Sequence, residues 1–457
     1  MKCSVFSVQC SVAAALLLAA TAANSFAQTN QPASLPIDLL SALRLAGAQS
    51  LDVQIARERL AEARANHEIA RQQFFPWLAP GISYRRHDGQ IQDVSGSVFN
   101  ASKQSYALGG TLTAQVELGE AYYKTLAAKQ LKKAADHALA AQELESVFGA
   151  SQGYFDLLKA QAGVGVAREA VGIAEDYAKQ LQRALEAGLA FKGDVLRAQV
   201  QAGRNQLALR QALEQQRAAS ARLAQALHLD STVELAASSQ DLVPFSLGRT
   251  NAALDSLVAQ ALATRPELKE GRALVSAAQR AKEGATFGPM VPTLGAQVSL
   301  GGLGGGVNGS TGNFSDSQDY FLGLSWRIGP GGLFDQPRIR ASDARLAAAR
   351  LGVERVRDEI IRQVVEAQSL AHSLAGQIGV AQSALVAADE SLRLANARKE
   401  FAVGVVLENI FAGQELTRAR SDYFTTVAEH NKAQYALARA VGSLIGADRD
   451  KRSEKQK

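Results

Sequence analysis

Three stretches of this sequence recur in the same order about 216 residues further on, and an internal duplication commits the chain to a fold built from two similar units. Phe75-Pro76-Trp77-Leu78 leads into a strand-like segment, as does Val291-Pro292-Thr293-Leu294. Gln104-Ser105-Tyr106-Ala107-Leu108-Gly109 has its counterpart in Gln318-Asp319-Tyr320-Phe321-Leu322-Gly323. Ala187-Gly188-Leu189, with Asp194-Val195-Leu196 and Gln199 after it, matches Val403-Gly404-Val405, with Asn409-Ile410-Phe411 and Gln414 after it. Each half reads as helix, strand pair, long helix, turn, long helix. The halves span roughly 35–230 and 251–446, joined by a linker over 230–250 that carries Ser238, Ser239, Pro244 and Gly248.

The strand pairs are expected at 78–118 and 293–329. Tyr106, Leu108, Gly110, Leu112, Ala114, Val116 and Leu118 alternate with the mostly polar Ser105, Ala107, Gly109, Thr111, Thr113, Gln115 and Glu117. The second copy sets Tyr320, Leu322, Leu324, Trp326 and Ile328 against Asp319, Gly323, Ser325 and Arg327, and its partner sets Leu294, Ala296, Val298 and Leu300 against Thr293, Gln297 and Ser299. Such period-2 alternation over about ten residues suits a strand with lipid on one side and water on the other. An amphipathic sheet in a soluble domain alternates in the same way. The segments Gly89–Lys103 and Gly302–Ser317 are rich in Gly, Ser, Asn and Asp and read as hairpin loops, and so does the run Gly301–Gly306, which lacks the Lys-Ser/Thr of a phosphate-binding loop. Arg85 and Arg86 are adjacent and must face opposite sides, which makes the strand Ala79–Asp88 the weakest of the set and puts Arg86 near its loop end.

A sheet in lipid has to close, since each unpaired backbone group there costs several kcal/mol. Bacterial barrels begin at about eight strands and one chain offers about four, so subunits must share the barrel. Two copies would supply about eight strands and three about twelve. Between Glu120 and Ala187 there is no proline, and apolar residues recur at three- and four-residue steps through Leu144, Val147, Phe148, Tyr154, Phe155 and Leu158. A helix over that stretch would reach about 100 Å, so helical hairpins at 120–229 and 338–446 are expected to pack as coiled coils.

The first residues, with Lys2, the apolar run Val12–Ala20 and Ser25-Phe26-Ala27, read as a secretory signal over 1–27, leaving 28–457 as the exported chain. Cys3 and Cys10 both fall within it, so no disulfide or cysteine metal site is expected beyond it. The net charge of +5 is dispersed along mixed helix faces, which gives nucleic-acid binding no support. The six histidines are scattered; His67-Glu68 starts a zinc-helix spacing, but Arg71 stands where the second His is needed. Neither catalysis, a metal nor a cofactor is expected.

Taken together these residues resemble the TolC-like outer membrane factors, the outer membrane efflux protein family, over nearly the whole exported chain from about Leu35 to Ala447. The resemblance implies a mixed α+β membrane protein: a homotrimer in which each protomer gives four strands to a shared twelve-stranded β-barrel and two hairpins to a long coiled-coil tunnel. It implies residence in the cell outer membrane, with the tunnel extending into the periplasm. It also implies a passive exit duct for an efflux or type I secretion system, working with a periplasmic adaptor (membrane fusion) protein and an inner-membrane transporter. By the same resemblance the adaptor would dock on Gly188, Leu189, Gly404 and Val405, though both glycines also suit a plain helix C-cap. Glu408, Asn409 and Asp194 would narrow the tunnel mouth, with Glu408 as a ring of like charge under threefold symmetry or simply as a solvated helix-start carboxylate. Asn409 lies one residue closer to Gly404 than Asp194 does to Gly188, and Ala412 stands where an acid would be expected, so the chain departs from a family-style aspartate gate. The competing expectation is an exported structural or adhesive coiled-coil protein that conducts nothing.

Overall fold

The computed structural model describes residues 35–444 except 231, 240–241, 249–250 and 401–405, so the expected leader, Gly404 and Val405 lie outside the described residues. Strand β1 (Leu35–Ile37) is followed by helices α1 (Leu39–Gln49) and α2 (Leu51–Gln72), strands β2 (Trp77–Gln92) and β3 (Val98–Glu117), and helices α3 (Leu118–Glu186) and α4 (Lys192–Ala226). After β4 (Leu235–Ala237) the order returns as α5 (Leu254–Thr264), α6 (Pro266–Phe287), β5 (Thr293–Val307), β6 (Ser315–Ser325), α7 (Gln336–Glu400) and α8 (Val406–Ala440). α1 and α5 each have 11 residues, α2 and α6 each 22, α4 and α8 each 35, and α3 has 69 against 65 in α7. No described helix is long and apolar enough to cross a membrane.

The two short helices before each strand pair are separated by a break that the sequence marks unequally. In the second half Pro266 opens α6 at its first position, where its missing N–H costs nothing. In the first half Ser50 turns the chain with ψ at 132°, and neither Gly nor Pro marks the place. Asp38 caps α1 by accepting from the Ser41 N–H at 3.3 Å, and Asp335 accepts from the Arg338 N–H at 3.1 Å in the first turn of α7.

The four long strands form one antiparallel sheet in the order β2-β3-β5-β6. Their register carries the alternation across all of them. Leu78, Leu112, Val298 and Tyr320 share one rung, and Ile82, Leu108 and Gly302 another. On the opposite face the Thr111 and Ser299 hydroxyls lie 3.1 Å apart. The apolar face is bare, with Ile82 82% and Leu322 77% exposed, which is tolerable only against hydrocarbon or another apolar surface. Tyr84 and Tyr106 toward the loop end and Trp326 at the helix end flank this band, as aromatic girdles flank a barrel's lipid zone. Arg86 sits beyond Tyr84, where it donates to Asp88 at 2.7 Å.

The hairpins reach further than the loop-rich composition suggested. β2 and β3 stay paired to Gln92↔Val98, so only residues 93–97 turn, and β5 runs through the whole glycine run to Val307. The expected loops at 89–103 and 302–317 are therefore largely strand. Glycine serves this sheet through its missing side chain. A Cβ on Gly304 would fall 2.5 Å from the Tyr106 ring, and one on Gly302 would collide with Phe314, which stacks on Tyr106 at 5.8 Å. The rings cover the glycines and restore the packing that glycine alone lacks.

Below the sheet each long helix runs uninterrupted. At 1.5 Å per residue α3 is about 100 Å long. α2 and α6 flank its sheet-proximal part, and α4 flanks the remainder down to the tip. The main core forms where these partners exchange, from Tyr154, Phe155, Leu157 and Leu158 of α3 with Leu223 of α4 and Leu227 just past its end, and with Ala42 and Ala46 of α1. The alanines let the α1 and α3 backbones approach closely. β1 and β4 pair in parallel at this level, a contact absent from the linker reading of 230–250. The remainder of the linker is held to α8 by side chains standing in for a strand. Asn431 accepts from the Phe245 N–H and donates to the Val243 carbonyl, while Gln434, only 1% exposed, accepts from the Leu247 N–H.

Two outcomes follow from the backbone. At Gly109 a Cβ would lie 2.4 Å from the Leu300 carbonyl, so Gly109→Val should break the β3–β5 pairing and cost about 3 kcal/mol or more, seen as loss of the heat-modifiable, protease-resistant form in isolated membranes. At the end of α4 His228 holds φ at +55°, where α8 uses Gly442 at +74°; His228→Gly should raise the denaturation midpoint, stabilising by about 1 kcal/mol.

Candidate functional site at the helical tip

α3 ends in a Schellman turn. Gly188, at φ +73°, donates its N–H to the Leu185 carbonyl at 2.9 Å, and Leu189 donates to the Ala184 carbonyl at 2.8 Å, so the last carbonyls of the helix are met. This conformation leaves Leu189 84% exposed at the apex, with Phe191 exposed beside it. Phe191 was not singled out from the sequence, because an aromatic residue in a turn carries no signal of its own. Inside the turn Leu181 packs on Val195 and Ala198, and Val406 of the other hairpin joins them.

Asp194 is the third residue of α4 and Glu408 the third of α8. Both carboxylates thus sit in a first turn, where the helix dipole favours them. Asp194 accepts from Arg197 at 2.9 Å, and Glu408 from Arg398 near the end of α7 at 2.7 Å. The ends of α4 and α8 correspond at a spacing of 214, not 216, so Asp194 matches Glu408 and Val195 matches Asn409. Burial agrees with that register: Val195, Ala198 and Ala202 are buried in α4, and Asn409, Ala412 and Leu416 in α8. Asn409 therefore corresponds in the repeat to Val195 and not to Asp194. It is enclosed between the hairpins, and its side-chain Nδ2 has no hydrogen-bond partner.

A ladder of polar contacts joins α3 to α8 above the tip. Arg439 reaches Glu145 at 2.5 Å and lies over the Phe148 ring; Lys432 pairs with Asp156 and with Glu429; Lys159 reaches Glu429 at 3.1 Å; and Arg420 pairs with Glu169 while lying 3.7 Å from Asp389 of α7. Burial opposes ionisation of Glu429, but Lys432 and Lys159 outweigh it and hold its carboxyl below the usual range. Lys432 is pushed up in the same way, burial being outweighed by Asp156 and Glu429. Below Arg420 the ladder stops and the four helices α3, α4, α7 and α8 surround a cavity of about 420 Å³.

A four-stranded sheet with a bare apolar face, carried on helical hairpins of this length, defines the class: an outer-membrane channel built of strands above and helices below. The sequence matches the family described as "Outer membrane efflux protein" over residues 42–228 and 257–448, and the chain belongs to that family. It is accordingly a channel protein of the outer membrane, with its helical part extending into the periplasm, and not an enzyme. No protein of curated function matches it in sequence. Among solved structures, a membrane protein from Pseudomonas aeruginosa is 21% identical with a TM-score of 0.76, covering 88% of this chain and 93% of its own. The CmeC outer membrane channel of Campylobacter jejuni, 16% identical, gives 0.76 over 92% and 89% of the two chains. The outer membrane protein VceC of Vibrio cholerae, also 16% identical, gives 0.74 over 88% and 96%. These likenesses concern the fold.

The ladder makes a prediction about acid. A carboxyl held low contributes stability that is complete at neutral pH and is lost as the pH falls through its lowered pKa. Lys432→Met should cost about 1 kcal/mol at neutral pH by leaving Lys159 alone to serve the part-exposed carboxylates of Asp156 and Glu429, and the deficit should narrow under acid, read from denaturant midpoints across a pH series.

Proposed function

We propose that three copies of this chain assemble into one exit duct of a tripartite efflux or type I secretion system. The observation that carries this reading is the sheet: its outer strands β2 and β6 each pair on one side only, beside a bare apolar face. In hydrocarbon those edges need partners, and three protomers would close a barrel of about twelve strands. Under that symmetry the hairpins form a tunnel about 100 Å long, and the duct is passive, its energy coming from an inner-membrane transporter.

A periplasmic adaptor protein would dock on the tip, on Gly188 and Leu189 and on the neighbouring turn with Gly404 and Val405. Leu189 and Phe191 offer exposed apolar surface for it. Glu408 and Asp194, alike in helix position, would ring the mouth with negative charge and favour cations. Asn409 would act on the constriction through the seating of α8 and not as part of the ring. Opening would separate the second hairpin from the first.

The test is made on the particle extracted from outer membranes in mild detergent. A native mass of three chains and a cation-selective conductance in planar bilayers are expected, with selectivity reduced several-fold in Glu408→Gln. A soluble or monomeric particle that never conducts would overturn the duct and return the chain to the structural coiled-coil reading.

A further inference from the structure

The seam between the two repeats shows how one strand pair and its helix seat against the next. β3 pairs antiparallel with β5, and just below that pairing the first turn of α3 nests against the turn Gly288–Met290 that precedes β5. The fit is close: a Cβ on Gly119 would fall 2.2 Å from the Gly288 carbonyl oxygen, and one on Gly284 2.8 Å from Tyr123. The same parts recur at the outer edges of the chain, where β6 and β2 each have one open side. There the residues differ. At the repeat spacing of 216, Gly288, Val291 and Thr293 are answered by Gln72, Phe75 and Trp77, and at the strand spacing of 214 Gly119 is answered by Leu333. In place of glycine on both sides, the β2 edge has an open cleft of about 930 Å³ walled by Ile69, Phe75 and Trp77, and the β6 edge has a projecting loop over 326–335. That loop is tied down. Leu333 donates its N–H to the Arg327 carbonyl at 2.8 Å, Gly329 to the Leu333 carbonyl at 3.0 Å, and Gly331 to the Asp335 carboxylate at 2.8 Å. The bonds hold Phe334 at φ +70°, a backbone conformation that bulky side chains rarely adopt, and yet its ring is 78% exposed, as Ile328 is 74% exposed. Within one chain the strained residue gains almost no burial.

We propose that the loop between β6 and α7 of one copy seats in the α2–β2 cleft of the next copy, with Phe334 inserted against Ile69 and Phe75 there. The inference rests on the duct being built of three copies and names the contact that locks one to another. Direction supports it. β2, β3, β5 and β6 alternate in direction, so a second copy standing the same way up lays its β2 antiparallel to β6. The end of β6 at Ser325 then comes beside the start of a β2 at Trp77, and the loop leaves β6 at the mouth of the cleft. Chemistry supports it as well. Glu120 in the cleft wall is met within its own chain by Lys124 at 2.9 Å and Arg338 at 3.1 Å, and Glu117 lies 3.9 Å from Arg327, so the uncommitted surface of the cleft is apolar. Those same contacts hold the inner side of the loop on its own chain and leave Ile328 and Phe334 as what it presents outward. Burial of the ring against a second copy gives the strained backbone its use.

Cross-linking between differently tagged copies tests the contact. Full-length chains carrying Phe75→Cys or Phe334→Cys are expressed together, and a short bis-maleimide is added to the outer membranes. A covalent dimer bearing both tags is expected from the mixture and absent from either variant expressed alone. Ile328→Cys, on the same loop, serves if Phe334→Cys fails to assemble. Phe334→Gly separates the contact from the loop's own needs, because glycine adopts this φ freely. The trimer should come apart at a lower temperature in that variant, whereas a ring with no partner would leave the temperature unchanged or raise it. Native mass measured on the same samples keeps the two readings apart. Three-chain particles that give no mixed dimer leave the loop facing lipid and overturn this inference alone, as does a Phe334→Gly trimer that dissociates no earlier. Single-chain particles from the unsubstituted protein overturn the duct reading and this inference together.

Discussion

A backbone amide in hydrocarbon can bond to nothing except another backbone, and this chain brings four strands with two open edges to that solvent. Most of the architecture follows from that shortage. The sheet has to close, so its outer strands must be able to pair beyond this chain. The duplication answers the need cheaply, because two hairpins of one design pair as β3 with β5 inside the chain and leave β2 and β6 as outer strands, each paired on one side. Gly109 and Gly301 face each other at the central seam, where any side chain on either would strike the opposite backbone.

The helices meet a different demand. A rod about 100 Å long has too little cohesion of its own and needs cover along its whole length. Each repeat supplies cover in two pieces, the short helix above and the returning helix below, and the largest core sits where the pieces meet. Polar groups set the alignment there. Asn431 and Gln434 present amides to a linker that would otherwise bury unmet backbone groups, and the α3–α8 ladder binds one repeat to the other along a line of charges. Such pairs, part-buried between helices, contribute more to register than exposed pairs do to stability.

The large features were legible because they are periodic: alternation over a dozen residues and helical spacing over sixty leave little choice of structure. What escaped the sequence reading was local or relational. The glycine run looked like loop because glycine is read by its freedom, whereas here the Tyr106 and Phe314 rings lie over it and hold it in a strand. The break at Ser50 carried no Gly or Pro, although its twin at Arg265-Pro266 did. At the tip the match between the repeats is offset: the turn glycines are 216 apart and the helices after them 214, so Asn409, matched to Asp194 on the spacing, takes the place of Val195. Only the burial pattern along both helices reveals that shift.

The unbroken course of α3 from the sheet to the apex makes it a lever. Its clamp lies near Leu158, and the apex near Glu186 is about 40 Å further on at 1.5 Å per residue. A tilt of about 10° about that clamp would carry the apex sideways by about 7 Å while the core moves hardly at all. The position of the apex is thereby geared to small angular changes in the waist of the molecule, and a substitution near Leu158 can displace the tip without touching any residue there.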